Sequence, residues 1–125
     1  IEDGLPTEIK PYIIQNGKEV YKFATKILPM ATRMACQKID LPISDIDFFI
    51  PHQANIRIIE TACKNLDSTM DKFIVNIAEH GNTSSATIPI AFDEAIRSGK
   101  IKRGDKICFV GFGAGLTYGA VVIEY

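Results

Sequence analysis

Three stretches of the sequence hold residue types that could do chemistry. Pro51-His52-Gln53-Ala54-Asn55 sets an imidazole just past an apolar run. His80-Gly81-Asn82-Thr83-Ser84 sets a carboxamide in a turn, and Gly111-Phe112-Gly113-Ala114-Gly115 is a glycine-rich loop. An imidazole and a carboxamide can each donate one hydrogen bond to the same oxygen. Two preset donors aimed at one oxygen stabilise an enolate or a tetrahedral oxyanion. A glycine-rich turn adds backbone N–H groups with no side chains in the way. His52 and Asn82 are therefore the candidate donors. No nucleophile accompanies them. Cys63 fits the buried side of a helix, Cys108 sits inside an apolar strand and Cys36 falls late in a long helix. None stands at a strand-to-helix turn, where a helix N-terminus would lower the thiol pKa.

Those stretches need elements to position them. Residues 1–10, with Gly4 and Pro6, read as an irregular arm, and residues 11–15 as a short strand. Asn16-Gly17 is a hairpin dipeptide when strands flank it. Yet Val20, Ala24, Ile27, Ala31 and Met34 recur at helical spacing, and Asn16 with Glu19 resembles a capping box. The helical reading over 17–40 is preferred, with a kink expected at Pro29, which lacks a donor. A strand follows over 47–50, a helix over 54–66, a strand over 73–77 and a helix over 83–98. Thr83, Ser84 and Ser85 are its candidate N-caps and Gly99 its C-cap. A strand over 106–111 and a last strand over 117–124 leave no room between them for a helix, so they form an antiparallel hairpin. This alternation predicts an α/β fold: a mostly parallel sheet covered by helices, with the last strand antiparallel.

That topology gathers the three stretches. His52 and Asn82 stand about 30 residues apart, the length of one βαβ unit. Parallel neighbouring strands put both carboxyl ends on one edge of the sheet, where ligand sites of open α/β sheets lie. The glycine loop reaches the same edge.

Composition sets the bounds. The 125 residues fit one domain. With 46% hydrophobic and 23% charged residues, the chain reads as globular rather than disordered. The near balance of 14 basic and 15 acidic residues argues against a nucleic-acid partner held by phosphate neutralisation. No apolar run is long enough to span a bilayer, and residues 1–15 hold three acidic groups and no leader-like apolar region. Three widely spaced cysteines suit neither a disulfide framework nor a zinc site, which favours a reducing, cytoplasmic setting.

The three stretches, in this order and spacing, resemble the C-terminal motifs of the 3-oxoacyl-[acyl-carrier-protein] synthase III family, the initiating condensing enzymes of bacterial type II fatty acid synthesis, of the thiolase-like fold. The resemblance runs from about Asn16 to Tyr125. Members of that family have two similar halves, with the nucleophilic cysteine in the first. The resemblance implies that residues 1–125 are a C-terminal domain whose N-terminal half lies elsewhere, in keeping with a start at Ile1 rather than Met. It implies an acyltransferase whose substrates are acyl-CoA and malonyl-acyl carrier protein, with no further cofactor or metal, in a homodimer. His52 and Asn82 would bond the malonyl thioester oxygen while carbon dioxide leaves. Phe112 and Gly113 would shape the site, and the Ala114 backbone N–H would serve an oxyanion. Asn55 would lie near the pantetheine arm and Arg57 near the acidic carrier protein. Two positions depart from the family pattern: Ala114 where Gly is frequent, and Tyr118 where Trp is common. A backbone donor survives the first change if φ there is negative.

Plainer readings stand beside these. His52 alone could be a satisfied structural histidine, Asn82 a turn residue, Phe112 core and Arg57 a solvated side chain. Gly111–Gly115 could be a simple hairpin turn, and it is no dinucleotide loop, since a strand follows it. His80 reads as structural, and Lys100, Lys102 and Arg103 as a solvated turn. Other functions compatible with the sequence are half of a different thiolase-like condensing enzyme, of polyketide or alkylquinolone type, or a noncatalytic module that binds acyl carrier protein.

Overall fold

The structure, a computed structural model, describes residues 15–125. The irregular arm expected over 1–10 and all but the last residue of the strand expected over 11–15 lie outside the described residues.

Helix α1 spans Gly17–Gln37. Asn16 caps it, its side-chain oxygen accepting from the Glu19 N–H at 3.3 Å, so the helical reading of Asn16-Gly17 holds over the hairpin one. The helix buries Ala24, Ile27, Leu28, Ala31, Thr32 and Cys36 and continues through Pro29. Pro29 leaves the Thr25 carbonyl without its helical donor, and Asn65 Nδ2 reaches that carbonyl at 3.5 Å. The helix stops short of residue 40 because Asp40 turns left-handed at φ 51. Leu41 N–H then closes back on the Cys36 carbonyl at 3.0 Å.

Strand β1 is Phe48–Pro51 and helix α2 is Ile56–Asn65. Where a strand was expected over 73–77, the chain makes one parallel bridge, Phe73 to Phe49, and then enters a single helical turn, α3, Ile77–His80. The reason is Pro51. Ile74 N–H donates to the Phe49 carbonyl at 2.9 Å; the next donor of a parallel ladder would be the N–H that Pro51 lacks. The Gln53 carboxamide takes its place. Its Nε2 donates to the Ile74 carbonyl at 3.0 Å and the Pro51 carbonyl at 2.9 Å, while its oxygen accepts from Asn76 N–H at 3.2 Å.

Helix α4 covers Thr87–Arg97, preceded by a 3-10 turn over Ser84–Ala86. None of the three expected N-cap side chains caps it. Its C-terminal end closes at Gly99, φ 73, as a glycine there allows. Strands β2, Lys106–Gly113, and β3, Thr117–Glu124, complete a three-stranded mixed sheet in the order β1-β2-β3. β1 runs parallel to β2, and β3 is its antiparallel hairpin partner.

Alternation along the strands splits the core between two sides. Leu28 and Ala31 of α1 and Ile58 and Ala62 of α2 pack with Val110, while Phe49 and Cys108 join Cys36, Ile59 and Cys63. On the opposite side Ile50 and Ile107 pack with Ala91 and Ala95 of α4. The sheet is thus a middle layer between α1 with α2 and α4. Among the described residues, no helix is long and apolar enough to cross a membrane.

Candidate active site

All three stretches come out at one edge of the sheet. His52 follows β1, and its N–H donates to the Val110 carbonyl of β2 at 2.8 Å. Asn82 follows α3, and the glycine loop ends β2. His52, Asn82, Phe112, Gly113 and Ala114 line one cleft of about 400 Å³, together with Ser84, Thr87, Ile88 and Gly111. The same five residues border a second hollow of about 500 Å³, which reaches Asn16, Glu19 and Val20 at the start of α1. A shallower depression of about 630 Å³ on the β2–β3 face holds Tyr118 but neither His52 nor Asn82.

Each candidate donor is held from behind. His52 Nδ1 lies 2.6 Å from the hydroxyl of Thr87, a residue only 2% exposed. Asn82 Oδ1 accepts from Ser84 N–H at 3.0 Å, and Ser84 is left-handed at φ 54 to make that turn. With Oδ1 occupied, the amide end of Asn82 is its free donor. With Nδ1 occupied, Nε2 is the free nitrogen of His52. Phe112 meets the His52 ring edge-on, centroids 5.3 Å apart, and is itself met by Phe23 at 6.3 Å. Burial lowers the His52 pKa from the ordinary 6.5 and so favours the neutral ring. Ala114 is not among the non-glycine residues with positive φ, which are Asp40, Asp67 and Ser84. The Ala for Gly departure therefore leaves its backbone donor sterically ordinary.

Two expected site residues stand apart. Asn55 caps α2, its side-chain oxygen accepting from Arg57 N–H at 2.9 Å, and both are exposed at the first turn of that helix, outside the cleft lining. The cysteines are all buried. Burial, and then the neighbouring Cys36, pushes Cys108 up to about 12, which leaves it a poor nucleophile. His80 bonds Glu94 of α4 away from the cleft.

Gln53 and Thr87 were not read from the sequence. Gln53 carried a signal: a carboxamide between an apolar strand and a helix must find partners if buried. Thr87 carried none, because its relation to His52 exists only once α4 is laid against β1.

Comparison with known proteins settles the family. Residues 36–125 match the family described as 3-oxoacyl-[acyl-carrier-protein (ACP)] synthase III C terminal. The chain belongs to this family. It is 51% identical over 113 residues to the beta-ketoacyl-[acyl-carrier-protein] synthase III of Clostridium acetobutylicum, covering 90% of this chain and 35% of that protein. Against the Staphylococcus aureus (strain Newman) synthase III it is 49% identical over 110 residues, covering 88% of this chain and 35% of that protein. Among solved structures, the synthase III of Thermus thermophilus superposes with TM-score 0.91 at 44% identity, over 95% of this chain and 37% of that one. The priming beta-ketosynthase of the R1128 polyketide pathway gives 0.77 at 36% identity, over 89% of this chain and 34% of that one. The fold is thus the thiolase-like fold of the synthase III family, and the chain spans about a third of the length of the curated relatives it matches.

Proposed function

We propose that this chain supplies the His–Asn side of a decarboxylative condensation, in which an acyl group derived from acyl-CoA is joined to malonyl-acyl carrier protein to begin fatty acid synthesis. The observation that supports this is the pair of donors, His52 Nε2 and Asn82 Nδ2, each anchored at its other end and bordering one cleft. As the malonyl C–C bond to the carboxylate breaks, its electron pair moves into the thioester and charge gathers on the carbonyl oxygen. Two donors that meet that oxygen stabilise the enolate as its charge develops. A neutral imidazole suits the task, since it gives a hydrogen bond without surrendering a proton. The enolate carbon then attacks the acyl thioester, forming the new C–C bond as the C–S bond breaks and releases the thiolate of a cysteine that belongs to the part of the enzyme outside these residues. Phe112 against His52 keeps water from protonating the enolate.

In this reading the enzyme is cytoplasmic and homodimeric, and works with acyl carrier protein and acyl-CoA and no other cofactor. Arg57 at the exposed start of α2 suits an acidic carrier protein, and Asn55 lies beside it on the approach of the pantetheine arm. The test is decarboxylation of malonyl-acyl carrier protein by the enzyme carrying these residues. Replacing His52 or Asn82 with alanine should slow it roughly 10²–10³-fold, and native rates in either variant would end this reading. A second reading, priming of a polyketide, draws on the similarity to the R1128 ketosynthase. The profile of accepted acyl-CoA donors separates the two.

A further inference from the structure

The contact behind His52 has more to say than that the ring is held. Thr87 Oγ1 lies 2.6 Å from His52 Nδ1 and 3.1 Å from the Ser84 carbonyl oxygen. A hydroxyl has one proton to donate and lone pairs to accept with. If it donates to Ser84, it must accept from Nδ1–H, and both contacts become hydrogen bonds. If it turns and donates to Nδ1, that nitrogen has no proton and the ring carries it at Nε2. The Ser84 carbonyl then keeps the Thr87 backbone N–H, which donates to it in either case. The ring is bordered elsewhere by the edge of Phe112, which offers no polar partner.

We infer that Thr87 is a positioning residue whose hydroxyl sets the tautomer of His52, holding it as Nδ1–H with Nε2 an acceptor while the cleft is empty, and able to reverse it when an oxygen is presented at Nε2. The empty-cleft preference follows from the number of bonds. The Nδ1–H form completes two, from Nδ1 to Thr87 and from Thr87 to Ser84, and bonds in a chain polarise one another. With a carbonyl oxygen in the cleft the preference inverts. The Nε2–H form then bonds the oxygen and accepts from Thr87 at Nδ1, whereas the Nδ1–H form would set a lone pair against a lone pair. A carboxylate behind the ring accepts only and would lock Nδ1–H. A backbone N–H donates only and would lock Nε2–H. A hydroxyl permits both, at a position only 2% exposed.

The inference rests on the proposed role of His52 as a hydrogen-bonding group of the cleft, and its test is independent of turnover. The protein is labelled with 15N at histidine and studied by long-range proton–nitrogen correlation above the ring's titration, with His52 assigned by its loss in His52→Gln. The native protein should show Nδ1 protonated and Nε2 bare. Thr87→Ser, which keeps the hydroxyl, should show the same. Thr87→Val, of equal shape and without a polar partner, should lose that preference, with Nε2–H becoming the major form. An unchanged backbone amide spectrum establishes that the variants are folded. A native ring protonated at Nε2, or a Thr87→Val ring still protonated at Nδ1, overturns the assignment. Failure of the proposed function reads out elsewhere, as undiminished decarboxylation in His52→Ala.

Discussion

His80 Nε2 lies 2.5 Å from Glu94 Oε1, and the other oxygen of Glu94 accepts from Asn76 Nδ2 at 2.8 Å. One carboxylate of α4 therefore grips both ends of the turn α3, and Asn82 begins two residues beyond it. The grip explains why His80 sits in a chemically suggestive stretch without facing the cleft: it anchors the loop that delivers its neighbour.

Loss of that grip should reach Asn82. Glu94→Gln keeps the size of the side chain and removes its charge. We expect a lower melting temperature, faster amide exchange over 77–83 and slower malonyl decarboxylation. Exchange in that segment at the native rate would show that the carboxylate is dispensable.

The same group gives an acid limb. The Asn76 amide, and next the His80 ring, hold the Glu94 carboxyl below its ordinary value of 4.5. A carboxylate with a depressed folded pKa contributes stability that is present above the unfolded value and is lost as the pH falls through the folded one. The difference in melting temperature between the native protein and Glu94→Gln should therefore be full above about pH 5 and shrink below about pH 4. A difference independent of pH across that window would assign the effect to shape alone.

His52 should titrate below 6.5, because burial disfavours its charged form. The unfolded chain then binds the proton more readily, so this group costs stability as pH falls from about 6.5 downward and nothing above. Phe112→Ala should admit water to the ring and move the midpoint back up. Proton NMR of the ring reads both, and a native midpoint at or above 6.5 would remove burial as the controlling effect.

Gln53 is 0% exposed and replaces a peptide group in the sheet. Gln53→Leu keeps its bulk and strands the Ile74 carbonyl and the Asn76 N–H. Each buried group left unpaired should cost about 1–3 kcal/mol. Urea unfolding gives the loss directly, and an unchanged midpoint would mean that those groups find other partners.

What the sequence made legible follows from what local pattern can encode. The helical face of α1, the hairpin of β2 and β3 and the Gly99 stop are set by residues near one another in the chain. Strand direction carries His52 and Phe112 to one edge, whereas Asn82 reaches it from the α3 turn rather than from a strand end. The strand expected over 73–77 failed because its apolar run was judged without its partner. Pro51, 23 residues before Ile74, lacks the donor that would have continued the ladder past the Phe49–Phe73 bridge. Ser84, expected to cap α4, instead uses its N–H to orient the Asn82 side chain. Relations of this kind depend on which surfaces meet, and no spacing announces them.

The pairing of β1 with β2 bears on when the cleft can exist. Asp47 accepts from Lys106 N–H across 59 residues, and the register Phe48 to Ile107 is set at the same closure. His52 and Asn82 both lie inside that span. A loop of this length closes late, since its entropy must be met before the parallel contacts are gained. During synthesis both donors are made before the strand that brings them together. The pair becomes one site only when β2 arrives beside β1.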